Sequence, residues 1–68
     1  MDIRERIAQE AAKYGFGVSV HQLVNLIYTK LRDEGYEVNL QNGKYIITSD
    51  GRKFKFAKSK GHWIVKEY

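Results

Sequence analysis

The sequence predicts an α+β fold in which two N-terminal helices pack on one face of a four-stranded antiparallel meander, in the order α-α-β-β-β-β. Apolar residues recur at helical spacing as far as about residue 34, and from Tyr36 onward the apolar period becomes two. Three dipeptides that favour tight turns divide the second half into four short runs: Asn42-Gly43, Asp50-Gly51 and Lys60-Gly61. We therefore expect a single domain over residues 1–68.

The first helix is predicted over about residues 3–14. Asp2 and Glu5 have the spacing of a capping box, and Gly15 supplies a stop signal. Because the link over residues 15–18 is short, the next helix should fold back against this one. The buried stripe is formed by Ile3, Ile7, Ala11 and Tyr14.

The second helix is predicted over about residues 20–34. Ser19 and Gln22 form a second capping box, and Gly35 ends the helix. The buried stripe is formed by Val20, Leu23, Val24, Ile27 and Leu31.

The four strands are predicted over about residues 36–41, 44–49, 52–58 and 62–67. Two-residue turns at the three dipeptides give these opposed pairs: Leu40–Tyr45, Val38–Ile47, Ile47–Phe54, Tyr45–Phe56 and Phe56–Val65. One face then carries Tyr36, Val38, Leu40, Tyr45, Ile47, Phe54, Phe56, Trp63 and Val65. A one-residue slip would expose an aromatic side chain, so this face is predicted to meet the helices.

The opposite face of the sheet is predicted to be open and basic, because two helices cover only one side. Its members are Glu37, Asn39, Lys44, Ile46, Thr48, Lys53, Lys55, Ala57, His62, Ile64, Lys66 and Tyr68. Ile46, Ile64 and Tyr68 offer apolar or stacking contacts on this face.

The net charge of +4 is concentrated in the second half of the chain. Residues 1–34 contain five basic and five acidic side chains, whereas residues 35–68 contain seven basic and three acidic ones. Such an asymmetry is informative about partners, and here it favours an acidic partner.

Composition also bears on the compartment. The chain has no cysteine, which excludes disulfides and cysteine-ligated metal and favours a reducing compartment. No apolar run approaches the length of a membrane span, and residues 1–10 are charged where a signal peptide would be apolar. We expect a cytoplasmic protein without a membrane partner.

The basic half predicts nucleic-acid binding through the outer face and turns of the last three strands. Lysines neutralise phosphates and an exposed tyrosine stacks on bases, which gives salt-dependent binding with little sequence preference. The predicted contact residues are Lys44, Arg52, Lys53, Lys55, Lys58, Lys60, His62, Lys66 and Tyr68. The alternative interpretation is that these lysines bind no ligand and only keep the protein soluble and protect its sheet edges.

A second hypothesis is a protein-interaction module or small inhibitor that docks an acidic partner. The basic face would serve, as would a sheet edge at residues 36–41 or 62–68. A homodimer through such an edge is a variant of this hypothesis, because a core of this size is thin. Regular hairpins, two capping boxes and the absence of Cys and Pro also fit a designed scaffold without a native ligand.

A winged helix is another alternative, with the second helix in the major groove and the hairpin of residues 44–57 as the wing. Helix residues away from the buried stripe would make the contacts: Gln22, Asn25, Thr29, Lys30 and Arg32. Winged-helix domains normally have a third helix, and the chain has no room for one.

The sequence offers little for catalysis, and we expect neither enzyme activity nor a cofactor. His21 and His62 are the only imidazoles. Ser19 is close to His21, but it is better used as a helix cap, and no orienting carboxylate is implied nearby. Two histidines without cysteine are also a poor zinc set.

Residues 23–63 combine a helix with the stretches EGYEV and GKYIITSDGRKFKFAKSKG. This pattern resembles the helix-plus-hairpin segment that follows the catalytic domain in mobilisation-type relaxases of plasmids and conjugative elements. The resemblance implies an accessory module of phage or mobile-element type that contacts DNA rather than RNA. The matching basic positions are Lys44, Arg52, Lys53, Lys55, Lys58 and Lys60. The catalytic tyrosine and histidine cluster of relaxases has no counterpart here.

The same stretch is similar to the small HicA-type RNA-cleaving toxins. Their catalytic histidine would fall near Tyr45, where this chain has no histidine. This departure argues against the toxin activity.

Overall fold

Residues 2–68, which the computed structural model describes, fold in the predicted order of two helices and four strands. The helices are α1 (Ile3–Ala11) and α2 (Val20–Asp33), and the strands are β1 (Val38–Gln41), β2 (Tyr45–Thr48), β3 (Lys53–Ser59) and β4 (His62–Glu67). The strands form one antiparallel sheet in the order β1-β2-β3-β4. Helix α1 packs mainly on β4, and α2 packs on β1 and β2. The predicted α+β architecture is confirmed.

Helix α2 has both predicted ends. The Ser19 hydroxyl accepts a hydrogen bond from the Gln22 backbone N–H at 3.2 Å, and the Gln22 Oε1 accepts one from the Ser19 N–H at 2.9 Å. This reciprocal pair is the predicted capping box. At the other end Gly35 has φ 94°, and the Tyr36 N–H donates to the Leu31 carbonyl at 3.0 Å. A glycine in the left-handed region therefore closes the helix.

Helix α1 differs from its prediction at both ends. It ends at Ala11 instead of Tyr14, and the chain continues as a tighter turn in which the Tyr14 N–H donates to the Ala11 carbonyl at 3.2 Å. The capping box predicted for Asp2 and Glu5 is wrong, because Asp2 makes no side-chain cap hydrogen bond. Its carboxylate instead accepts two hydrogen bonds from Arg52, at 2.7 and 3.2 Å.

The turn between β1 and β2 contains one residue more than predicted. Asn42 and Gly43 have φ 56° and 68°, as the predicted tight turn requires, and the Lys44 N–H donates to the Gln41 carbonyl at 3.1 Å. Strand pairing, however, places Gln41 opposite Tyr45. Lys44 is therefore an extra, bulged residue, which moves the pairing of β2 by one position.

The turn between β2 and β3 is also one residue longer than predicted, and it moves the register of β2 in the opposite direction. Three residues separate Thr48 from Arg52, and the Thr48 N–H donates to the Arg52 carbonyl at 2.9 Å. The Gly51 N–H closes the turn on the Thr48 carbonyl at 3.0 Å, and Gly51 has φ 92°. A tight turn followed by a left-handed glycine is a common three-residue hairpin loop. The β3–β4 turn has the predicted two residues, with Ser59 opposite His62.

These two shifts cancel for β1 and β3 but exchange the faces of β2. Ile46 lies opposite Leu40 and Phe54, so Ile46 and Thr48 point inward and are buried. Four predicted pairs are wrong: Leu40–Tyr45, Val38–Ile47, Ile47–Phe54 and Tyr45–Phe56. The pair Phe56–Val65 is confirmed. The buried core is formed by Ile7, Ala11, Leu23, Val24, Ile27, Leu31, Val38, Ile46, Phe54, Phe56, Trp63 and Val65.

Candidate functional site

The open face is the side of the sheet that points away from α1 and α2. Because side chains alternate along a strand, it carries the odd-numbered residues of β1, β2 and β3 and the even-numbered residues of β4. Its members are Asn39, Gln41, Tyr45, Ile47, Lys53, Lys55, Ala57, Ser59, His62, Ile64, Lys66 and Tyr68. The predicted members Ile46 and Thr48 point inward, and Glu37 and Lys44 lie outside the strands, so these four predictions are wrong. Their places are taken by Gln41, Tyr45, Ile47 and Ser59.

Two tyrosines and two lysines form a compact cluster on the open face. The rings of Tyr45 and Tyr68 meet edge to face, with centroids 6.3 Å apart and an interplanar angle of 83°. The Lys53 Nζ lies 4.2 Å from the centre of the Tyr45 ring, and the Lys55 Nζ lies 6.0 Å from that of Tyr68. Each ammonium is therefore held within the range of a cation–π contact. Tyr68 is 66% exposed, so part of its ring is free for a ligand.

The first group of ion pairs lies on α1 and at the end of α2. Arg6 binds the carboxylates of both Glu10 and Glu34, with its Nη1 2.7 Å from the Glu10 Oε2. Lys13 also binds Glu10, at 2.8 Å. These donors, with Lys13 first, lower the pKa of Glu10, and Arg6 lowers the pKa of Glu34. Glu10 and Glu34 therefore neutralise Arg6 and Lys13.

The second group joins the start of α1 to one corner of the sheet. Arg52 binds Asp2 at 2.7 Å and Glu67 at 2.8 Å. Its hydrogen bonds lower the pKa of both carboxyl groups, and they raise the pKa of the guanidinium. Arg52 directly precedes β3, and its charge is neutralised by the two carboxylates. Arg52 was predicted to contact a ligand, but its guanidinium is bound to Asp2 and Glu67 and does not reach the open face.

The lysines of the open face have no such compensation. Within residues 2–68, Lys53, Lys55 and Lys66 form no ion pair with a carboxylate. All five ion pairs of that part of the chain involve Arg6, Lys13 or Arg52. Three of the seven basic side chains of the second half therefore lie on the open face without a carboxylate partner in residues 2–68.

Five of the nine predicted contact residues lie on the open face: Lys53, Lys55, His62, Lys66 and Tyr68. Lys44 and Lys60 lie in the turns at the same end of the sheet. Lys58 was predicted as a contact residue of the outer face and turns, but it lies on the helix side of β3, because it is in strand β3 opposite Trp63. Tyr45 was missed because its predicted register placed it in the core.

A recess lies beside β3, at the end of the sheet where β2 stops. Strand β2 pairs with β3 only as far as Tyr45, which lies opposite Lys55, so residues 56–59 pair with β4 alone. The space left beside them measures about 390 Å³, and we call it the β3 recess. Its lining combines apolar or aromatic residues with three lysines: Val20, Tyr45, Phe56, Ala57, Trp63, Lys44, Lys55 and Lys58. Three of the predicted contact lysines therefore meet at one concave site.

His21 has a structural contact. Its Nδ1 lies 3.0 Å from the Gly43 carbonyl oxygen, so a protonated Nδ1 donates a hydrogen bond from the first turn of α2 to the β1–β2 turn. The Ser19 hydroxyl is occupied by the capping box. The two side chains thus serve separate structural contacts.

The solvent side of α2 is partly engaged in contacts within the helix. The Asn25 amide donates to the His21 carbonyl at 3.2 Å, and Arg32 donates to the Tyr28 hydroxyl at 2.9 Å. The part of the chain that the structure describes has two helices, so the third helix of a winged-helix domain is missing from it.

Comparison with known proteins finds no matching family model, no matching curated protein and no matching solved structure. The resemblance to the accessory segment of relaxases therefore stays a prediction. Among residues 2–68, no group of three or more His, Asp or Glu side chains is placed to hold a metal ion. In the same range, neither α1 nor α2 has the length and apolar composition that crossing a membrane requires.

Proposed function

We propose that the protein binds nucleic acid through the open face. The observation that carries this proposal is the cluster of Tyr45 and Tyr68 with Lys53 and Lys55, in which neither lysine has a carboxylate partner within residues 2–68. Unpaired lysines attract phosphates, and phosphate binding releases counterions from the nucleic acid. Aromatic rings beside them supply surfaces on which bases stack.

The layout of charge supports the same proposal. The helix side carries the ion pairs of Arg6 and Arg52, whereas the open face carries Lys53, Lys55 and Lys66. A ligand with a regular row of negative charges is thereby attracted to one side of the molecule. Neutral side chains between the lysines, including Ile47 and Ile64, leave room for contacts with sugars and bases.

The proposal is tested by fluorescence anisotropy with labelled DNA and RNA 12-mers over a series of salt concentrations. We expect affinity to fall steeply as salt rises. In a Lys53→Glu/Lys55→Glu variant, the slope of log K against log salt should fall by about two, because two phosphate contacts are lost.

A matched control is Arg4→Glu/Lys30→Glu, which changes the net charge equally at exposed positions on the two helices. It should bind much more tightly than the double variant of the open face. Equal losses in the two variants would show that net charge alone matters and would overturn the site. The absence of binding to any of these oligonucleotides at low salt would overturn the function.

An acidic protein partner is distinguished by poly-glutamate of the same charge as the 12-mers. It carries the charge but not the bases, so we expect it to bind more weakly than either oligonucleotide. Equal or tighter binding of poly-glutamate would contradict the proposed use of the tyrosines and favour an acidic protein ligand.

A further inference from the structure

We propose that the β3 recess receives one unpaired base, so that the preferred ligand of the open face is single-stranded. This inference rests on the proposed function and names the form of nucleic acid. It is carried by the shape of the recess, by the side chains that line it and by its continuity with the open face.

The recess follows from the unequal lengths of two neighbouring strands. Strand β3 extends to Ser59, whereas its partner β2 begins at Tyr45 and is preceded by the bulged Lys44. Residues 56–59 of β3 consequently have a strand partner on the β4 side only. The fold therefore leaves a concave space in the middle of the sheet end instead of at an outer edge.

The interior and the rim of the recess have different chemistry. Val20 and Ala57, which are half-buried, contribute apolar surface together with the edges of Phe56 and Trp63, which are only 3% and 4% exposed, and this surface suits one face of a base. At the rim, the Lys58 Nζ lies 5.6 Å from the centre of the Trp63 ring and 5.2 Å from that of Phe16. Phe16 is 42% exposed and meets Trp63 edge to face at 5.5 Å.

The positive charge of the lysines that line the recess favours a ligand with an anionic group beside the base. Lys44, Lys55 and Lys58 all line the recess, and among residues 2–68 no carboxylate lines it. An apolar interior with three ammonium groups around it complements a nucleotide, whose base is flat and weakly polar and whose phosphate is anionic. A volume of about 390 Å³ is at the lower end of the range of small-ligand sites. One nucleotide is therefore a suitable occupant, whereas a duplex is too wide.

Two residues connect the recess to the open face. Tyr45 and Lys55 border the recess, and they also belong to the cluster with Tyr68. A strand that stacks on Tyr68 and Tyr45 would thus continue into the recess. Bases inside a duplex are already stacked on one another, so insertion requires a strand whose bases are free.

Trp63 provides the direct test, because it is the sole tryptophan and it lines the recess. Its fluorescence should be quenched when an unlabelled single-stranded 10-mer of thymidine is titrated into the intact protein. A hairpin duplex with the same number of phosphates should leave the fluorescence nearly unchanged. Anisotropy should show the single strand binding roughly tenfold more tightly than the duplex, since base–aromatic stacking contributes at that scale.

The variant Lys44→Glu/Lys58→Glu removes two lysines of the recess and leaves Tyr68 and Lys53 in place. It should reduce the ratio of single-strand to duplex affinity, whereas Arg4→Glu/Lys30→Glu, with the same change in net charge, should keep that ratio. Circular dichroism of each variant confirms that it is folded.

The outcomes separate this inference from the proposed function. If neither oligonucleotide binds, the proposed function fails, and this inference fails with it. If both bind equally tightly and Trp63 fluorescence does not change, the open face binds nucleic acid but the recess does not hold a base. A ratio that falls equally in both double variants would also overturn the role of the recess.

Discussion

The Arg52 guanidinium and the Asp2 carboxylate form a two-point hydrogen bond, with Nη1 2.7 Å from Oδ1 and Nη2 3.2 Å from Oδ2. The same guanidinium binds Glu67 through Nε, at 2.8 Å. One side chain of the sheet thereby holds the start of α1 and the end of β4 together. We conclude that Arg52 stabilises the fold, although its place in a basic stretch predicts a contact with a ligand.

The first prediction concerns this role. The Arg52→Met variant keeps an unbranched apolar stem near Phe54 but loses both ion pairs, so its Tm should be lower than that of the unmodified protein. Its oligonucleotide affinity should fall no more than that of Lys30→Met, which removes one exposed charge. Thermal unfolding and anisotropy measure the two effects. A stable Arg52→Met variant with strongly reduced binding would reverse the assignment.

The second prediction concerns the register of β2. Ile46 is fully buried, whereas Ile47 lies on the open face. Ile46→Ala should reduce the free energy of unfolding by about 2–4 kcal/mol, because it leaves a cavity in the core. Ile47→Ala should cost less than about 1 kcal/mol. Urea unfolding of both variants measures the difference, and the reverse order would restore the predicted register with two-residue turns.

The third prediction concerns Gly43, which has φ 68°. A Cβ at this position would lie 3.2 Å from the His21 Nδ1. Gly43→Ala should therefore destabilise the protein by about 1–2 kcal/mol, from backbone strain together with a disturbed hydrogen bond. Gly17→Ala is the control, because a Cβ there meets no atom within 4 Å. Equal stability of the two variants in urea would contradict the described turn.

The fourth prediction concerns acid. Five carboxyl groups have lowered pKa values in the folded protein, against ordinary values of 3.8 for Asp and 4.5 for Glu: Asp2, Glu10, Glu34, Asp50 and Glu67. A lowered pKa in the folded state adds stability that is present above the unfolded pKa and is lost as pH falls through the folded pKa. The urea midpoint should therefore be nearly constant from pH 7 to about 5 and should fall steadily below about 4.

Glu10→Gln tests the largest group of these contacts, since Glu10 is bound by both Arg6 and Lys13. The variant should be less stable than the unmodified protein at pH 7, and the difference should narrow at pH 3. A constant difference across this range would show that the ion pairs of Glu10 do not contribute to the acid sensitivity.

The sequence allows the element order and one face of three strands to be predicted. Helix α2 carries its capping box and its closing glycine as local signals, and β3 alternates Phe54 and Phe56 with Lys53 and Lys55 so strongly that only one orientation is reasonable. Local sequence is sufficient to predict both elements, because the residues that cap α2 or alternate along β3 lie within a few positions of one another.

Strand β2 could not be placed in the same way. Its sequence, YIIT, presents Tyr and Ile on one side and Ile and Thr on the other, and both sides are compatible with burial. The inward face of β2 was therefore predicted from turn length alone. The bulge at Lys44 could not be foreseen, because Asn42-Gly43 is the same signal with and without it.

The candidate site was predictable only in part for the same reason. The lysines of β3 follow from alternation, but the position of Tyr45 depends on the turn. The contact of Asp2 with Arg52 joins residues that are 50 positions apart, and the local spacing to Glu5 gives no sign of it. Long-range partners of this kind compete with local caps, and the sequence alone does not show which partner is preferred.

The lengths of the two turns on either side of β2 determine which residues of β2 lie on the open face. Because the two register shifts have opposite directions, the two faces of β2 are exchanged while the faces of β1 and β3 stay as predicted. If both turns closed with two residues at unchanged sequence, Ile46 and Thr48 would lie on the exterior in place of Tyr45 and Ile47. Loop length, independent of the residues within the strand, thus decides whether the Tyr45 ring lies on the exterior or in the core.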